Sequence, residues 1–150
     1  LRGGERESFS SGMVGKSAPT YVMAPLAGDE TVSSIAFRGR PHLINIFASW
    51  CTPCRAEHPV LMALEERGVA IVGVAYKDEP EDTQRFLNEL GDPFAVVGMD
   101  PEGRVGLDFG VTGAPETFVV DREGVIRAVH RGPLTADAVE RVILPALDSR

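Results

Sequence analysis

The sequence predicts an α/β domain: a central mixed β-sheet flanked by helices, with a β/α segment inserted between a βαβ half and a ββα half. Three observations carry that prediction. Two apolar runs, His42 to Ala48 and Val69 to Ala75, flank an amphipathic stretch from Thr52 to Arg67. That order implies a strand, a crossover helix and a parallel strand. Two further β-like runs are joined by Asp121-Arg122-Glu123-Gly124 and followed by a helical stripe. The only two cysteines, Cys51 and Cys54, stand where the first apolar run meets the first helix.

At 150 residues the chain is long enough for one domain with its own core. Its formal charge of −7 argues against a nucleic-acid partner, which would need a basic face. Val69 to Ala75, the longest apolar stretch, is far too short to cross a bilayer.

Residues 1–12 are polar, Gly/Ser-rich and without periodicity, so they read as a flexible lead-in, with the folded domain over residues 13–150. Lys16 to Leu26 and Thr31 to Phe37 give two short β-like pieces separated by Gly28-Asp29, and Gly39-Arg40-Pro41 makes a turn. His42 to Ala48 is expected to be a buried central strand. The helix after it has Val60, Leu61 and Leu64 on its apolar side, a kink at Pro59 and a stop at Gly68.

Val69 to Ala75 is the second buried strand. Pro80 to Leu90 is a helix with Phe86, Leu87 and Leu90 on one side, closed by Gly91; Pro93 to Gly98 adds a strand and Glu102 to Phe109 a short helix. Thr117 to Asp121 and Val125 to His130 pair through the compact turn. Thr135 caps a last helix whose buried stripe is Val139, Val142, Ile143 and Leu147, with Pro145 disturbing its final turn. The order β-α-β then β-β-α, with Cys-X-X-Cys opening the first helix, resembles a thioredoxin-like fold; the stretch from Tyr76 to Ala114 is longer than that fold needs and reads as the insertion.

The cysteine pair carries the chemistry. A sulfur at a helix start meets unpaired N–H groups and the positive end of the helix dipole, both favouring the thiolate, so Cys51 is the expected attacking thiol. Cys54, one turn deeper, is the resolving thiol, and the pair forms a redox-active disulfide with no other cofactor. A structural staple is the weaker reading, because so short a loop constrains the unfolded chain little. Zinc is disfavoured: a closed site needs four ligands, and His42, His58 and His130 show no paired spacing. Pro53 lacks an N–H, so Cys51 should depend on the N–H of Cys54, making the pair a weaker oxidant; that Pro53 simply starts a helix well is equally compatible with its position.

Trp50, Thr52 and Pro53 are expected to line a substrate groove, with Trp50 shielding the disulfide. Tyr76, Lys77 and Asp78 end a strand on the side where α/β proteins build sites, although a polar loop tip would look the same. His58 is expected to face the surface. In Val111 to Phe118, Ala114-Pro115 occupies the place where thioredoxin-like proteins carry a cis bond, which would offer the Ala114 backbone to an extended substrate; residue type alone favours trans.

Trp50-Cys51-Thr52-Pro53-Cys54-Arg55-Ala56-Glu57-His58, then Val74 to Asp78, then Gly110 to Phe118, resemble the CcmG/DsbE family of thiol–disulfide reductases of cytochrome c maturation. The likeness covers nearly everything from Met13 onward, and the Gly-Ala-Pro-Glu-Thr-Phe run is its most specific part. It implies a cis Pro115 and a periplasmic domain, monomeric and tethered by an inner-membrane anchor before Leu1. It also implies apocytochrome c or a thiol protein carrying its cysteines as partner, and a membrane electron donor of the CcdA/DsbD type.

Ordinary thioredoxins hold a buried Asp six residues before the first cysteine, where this chain has Asn45. Glu57 or Glu116, especially Glu116, could instead accept the Cys54 proton; a solvated helix face for Glu57 and a strand-edge charge for Glu116 are the plain alternatives. Thr-Pro between the cysteines departs from the Pro-Thr of some members. A general periplasmic reductase or oxidase is the nearest competing function, and a redox-independent peptide-binding module a more distant one. A peroxiredoxin-type peroxidase is disfavoured, because the Pro and Thr that such enzymes place before the reactive cysteine correspond here to Ile44 and Ala48.

Overall fold

The computed structural model describes residues 12–148 and contains a seven-stranded sheet in the order β2-β1-β5-β4-β3-β6-β7. The expected lead-in lies outside the described residues except for Gly12. The strands are β1 (Val22–Pro25), β2 (Val32–Ser33), β3 (His42–Phe47), β4 (Ile71–Tyr76), β5 (Val96–Asp100), β6 (Glu116–Val120) and β7 (Ile126–Arg131). β3, β4 and β5 pair in parallel, while β1 on β5, β6 on β3 and β7 on β6 are antiparallel, so the sheet is mixed.

Side chains alternate across β3 as a strand requires. Leu43 and Phe47 join the core cluster that also holds Leu61, Leu64, Phe86 and Ile143, whereas Ile44 and Ile46 join the cluster with Val72, Val74, Phe109 and Phe118. Asn45 therefore points to the same side as Leu43 and Phe47, under the helices. Burying each of these large side chains stabilises the fold by about 1.5–3 kcal/mol.

Helix α1 (Thr52–Glu66) runs through Pro59 as one element and stops at Arg67, followed by Gly68 at φ +87. Its buried residues are Cys54, Glu57, His58, Leu61 and Leu64, a single helical stripe at i, i+3, i+4, i+7 and i+10. This corrects the expected surface position of His58. It is 2% exposed, its Nε2 lies 2.7 Å from the Gly91 carbonyl, and its ring meets Phe86 edge-on at 5.1 Å.

Helices α2 (Pro80–Leu90) and α3 (Arg104–Asp108), with β5 between them, form the insertion. The strand starts and ends later than the sequence suggests, reaching Asp100, whose carboxylate accepts from the Val105 and Gly106 N–H groups at 3.0 and 2.9 Å and so caps α3.

The expected strand over Thr31–Phe37 shortens to Val32–Ser33 and then tightens into a 3₁₀ turn, Ser34–Phe37, because Ser33 caps the Ile35 N–H at 3.3 Å. The β6–β7 turn is built on Asp121, whose side chain accepts from Glu123 N, Val125 N and Arg127 Nε.

The last helix, α4 (residues 136–147), is capped by Thr135 as expected but is not α-helical throughout. Val139–Ile143 forms a π-helical turn, with the Leu144 N–H reaching Val139 O. Pro145 has no amide for the Arg141 carbonyl, and the ladder widens just before it. Of the expected stripe, Val139 and Ile143 are buried, and Val142 and Leu147 are half-buried.

Candidate active site

Strand β3 delivers the chain to a loop at its C-terminal end, and α1 begins directly after it. Cys51 is the N-cap of α1, with extended backbone at φ −99 and ψ 110, and its Sγ accepts from the Cys54 N–H at 3.2 Å. Pro53, in the first turn, supplies no competing amide. The two cysteines are joined by a disulfide with Cα atoms 5.3 Å apart. Cys51 is 4% exposed and Cys54 1%, so both residues are buried and the first is slightly the more open of the two.

Thr52 and Pro53, between the two cysteines, are exposed. Trp50 is 56% exposed, which excludes the plain core-aromatic reading, and its Nε1 donates to the Lys77 carbonyl at 3.0 Å. The Ala114–Pro115 bond is cis; Pro115 is buried and Ala114 half-buried. The Ala114 backbone makes no hydrogen bond among the described residues.

Both candidate acids are buried, against the solvated alternatives. Glu57 is 1% exposed, and its carboxylate accepts from Asn45 Nδ2 and from the Leu134 N–H, each at 3.0 Å. Burial pushes its pKa up to about 7, with those two donors opposing the rise. Asn45 Nδ2 also donates to Thr117 Oγ1 at 3.1 Å, while Asn45 Oδ1 is buried with no partner among the described residues.

Glu116 is 3% exposed and accepts from the Thr112 N–H and hydroxyl at 3.3 and 3.2 Å. Burial raises its pKa as well, against the Thr112 bonds and Arg131, whose Nε lies 3.9 Å away. Its Oε1 is buried without a partner among the described residues.

Two participants escaped the sequence reading, Thr117 and the Leu134 N–H, whereas Asp78, already singled out at the end of β4, is buried and bonded to the loop before Cys51, unlike a plain polar loop tip. Among the described residues no group of His, Cys, Asp or Glu is arranged to hold a metal, and no helix is long and apolar enough to cross a membrane.

A helix-capping cysteine, a partner one turn inward and a cis-proline loop on a mixed sheet define a thiol–disulfide oxidoreductase of thioredoxin-like fold. Residues 13–143 match the Redoxin family. The thiol:disulfide interchange protein HelX of Rhodobacter capsulatus is 43% identical over 141 residues, 93% of this chain and 80% of the relative. The Escherichia coli K12 protein DsbE is 39% identical over 145 residues, 95% of this chain and 78% of the relative. The chain belongs to the DsbE/HelX (CcmG) family of thiol:disulfide interchange proteins.

The crystal structure of a Chlorobium tepidum chain described as DsbE superposes with a TM-score of 0.79 at 30% identity, covering 89% of this chain and 96% of that one. MTB DsbF, in mixed oxidised and reduced forms, gives 0.73 at 29% identity over 84% of this chain and 94% of that one.

Proposed function

We propose that the protein is a reductant in an otherwise oxidising compartment, the periplasm, held to the inner membrane by an N-terminal segment. Its substrate is the disulfide between haem-attachment cysteines of apocytochrome c, or of a thiol protein carrying them. A membrane donor of the CcdA/DsbD type returns it to the dithiol. The family resemblance supports these assignments, and the domain acting alone as a monomer suffices for the chemistry.

In the reduced protein the Cys51 thiolate attacks one substrate sulfur. A Cys51–substrate disulfide forms, the substrate S–S bond breaks, and the first substrate thiolate leaves. Cys54 then gives its proton to a buried carboxylate and attacks Cys51 Sγ, closing the disulfide and expelling the second substrate thiolate. The substrate gains two electrons, the protein loses two, and the carboxylate hands its proton to the departing sulfur.

The sequence favours Glu116 for that carboxylate; the geometry favours Glu57. Glu57 shares the buried face of α1 with Cys54 at i, i+3, and its pKa of about 7 suits taking and returning a proton at neutral pH. Glu116 instead holds Thr112 in the loop that presents Ala114 and Pro115. Trp50, Thr52 and Pro53 form one wall of the groove, and the unpaired Ala114 backbone is its hydrogen-bonding edge.

The observation that carries the direction of electron flow is the single Cys54 N–H on Cys51 Sγ beside a proline with none to offer. Fewer donors stabilise the thiolate less and leave the dithiol the better reductant. Equilibration with glutathione tests it. A potential closer to the ~−270 mV of thioredoxin than to the ~−120 mV of DsbA is expected, and a value at the DsbA end would make the protein an oxidase.

A further inference from the structure

Asp78 lies beyond β4, 27 residues after Cys51 in the chain, yet its carboxylate is saturated by the loop that precedes Cys51 and by the start of α2. Oδ2 accepts from the Ser49 N–H and from Thr83 Oγ1, each at 2.8 Å. Oδ1 accepts from Ser49 Oγ at 2.8 Å and from the Glu79 N–H at 3.0 Å. Each oxygen thus takes two donors, and the residue is 5% exposed. A carboxylate so filled has no free lone pair to offer a substrate.

The neighbouring residue completes the arrangement. Lys77 is the only non-glycine at positive φ (+49) among the described residues, and its carbonyl accepts from Trp50 Nε1 at 3.0 Å. Such backbone is costly for a residue with a Cβ and persists where its surroundings demand it. Two consecutive residues, 77 and 78, therefore grip two consecutive residues, 49 and 50, immediately before the sulfur.

We propose that Asp78 is a positioning residue: through Ser49, and with the Lys77 carbonyl on Trp50, it fixes the approach of Trp50 and Cys51 to a substrate disulfide. This rests on Cys51 being the attacking sulfur. Holding reacting atoms in near-attack geometry is worth large factors in rate, and a displacement of about 1 Å costs roughly 100-fold.

Asp78→Asn tests it in the full chain. The amide keeps the shape, but whichever way it turns its NH₂ faces a backbone N–H that cannot accept, that of Ser49 or that of Glu79, and the charge that strengthens the bonds to Ser49 is gone. Trp50 is the only tryptophan, so fluorescence anisotropy reports its mobility without labelling. At a temperature where circular dichroism shows the variant fully folded, its indole should be freer, and reduction of insulin should slow by roughly 10- to 100-fold. Unchanged anisotropy with an unchanged rate, whatever happens to the melting temperature, would reduce Asp78 to a stabilising contact and overturn the proposal.

If Asp78→Asn does not fold, Ser49→Ala decides. It removes only the hydroxyl bond to Oδ1, and a freer Trp50 with a slower reaction of a few-fold supports the clamp, whereas wild-type values for both overturn it. A Cys51→Ser protein that still reduces insulin would sink the underlying assignment of the nucleophile. An inert Cys51→Ser beside a fully active, folded Asp78→Asn sinks only the clamp.

Discussion

Asn45 Nδ2 donates to Glu57 Oε2 at 3.0 Å, joining the strand that ends at the active-site loop to the helix that carries Cys54. The amide occupies the position where ordinary thioredoxins place their buried acid, and the buried carboxylate beside it is that of Glu57, the acid proposed above for Cys54. With Leu134 N–H as its second donor, the carboxylate is held on the buried face of α1, the face that also carries Cys54.

Glu57→Gln removes that acid. Closure of the disulfide from the mixed-disulfide intermediate should slow by about 100-fold or more, and its pH dependence near 7 should vanish. Rapid quench with mass spectrometry reads the intermediate's lifetime; a lifetime and pH profile equal to wild type would point to another acceptor, Glu116 first.

The same substitution has a sign to check in stability. The Glu57 pKa is raised from 4.5 to about 7 by burial, so the native state binds its proton more tightly than the unfolded chain does. The resulting stabilisation is complete below 4.5 and is lost as pH rises through 7. Glu57→Gln, with no charge to bury, should match wild type near pH 4 and exceed it at pH 8, by an amount of order 2–4 kcal/mol. Burial lowers the pKa of His58, against the Gly91 carbonyl and Asp92, and the sign is opposite: its contribution is present above 6.5 and lost on acidification. Urea unfolding of the oxidised proteins from pH 4 to 8 measures both slopes.

Both residues show why part of the site was hidden in the sequence. β3, α1, β4 and the β6–β7 turn follow from continuous apolar runs, a helical stripe and turn chemistry, and they emerge within a few residues of expectation. His58 is expected outward, and a solvated face competes with the acid role for Glu57, because charged and polar types are mostly exposed. Their spacing from Cys54, Leu61 and Leu64 was the signal that they sit on the buried face. Asp78 stands out in the sequence only with Tyr76 and Lys77 at the end of a strand on the side where sites are built, a pattern that a polar loop tip shares, because its partner Ser49 is distant in the chain. The cis bond at Pro115 came from family resemblance, since residue type favours trans.

Pro53→Ala restores an amide beside Cys51. Its thiolate should then be better stabilised, with the thiol pKa falling by up to about one unit and the potential rising by roughly 30 mV per 1.4 kcal/mol of added stabilisation. Absorbance of the thiolate at 240 nm during a pH titration, with glutathione equilibration, checks both; a fall in potential would reverse the assigned role of Pro53.

Gly73 on β4 lies under the stacked pair Phe47 and Phe94, whose centroids are 4.7 Å apart. A Cβ there would stand 2.9 Å from the Phe94 ring and 3.1 Å from Phe47. Gly73→Ala should therefore destabilise the protein by about 1–3 kcal/mol through overpacking. A urea midpoint equal to wild type would show that the rings can move aside.

The most direct measurement is the covalent one. Reduced Cys54→Ser protein is mixed with a disulfide-bonded peptide bearing two haem-attachment-type cysteines, and the adduct is mapped by mass spectrometry. The peptide is expected on Cys51, in a long-lived mixed disulfide, while Cys51→Ser reduces nothing. Turnover by Cys51→Ser, or no adduct on Cys51 in the Cys54→Ser protein, would contradict the assignment of the helix-capping sulfur as the nucleophile.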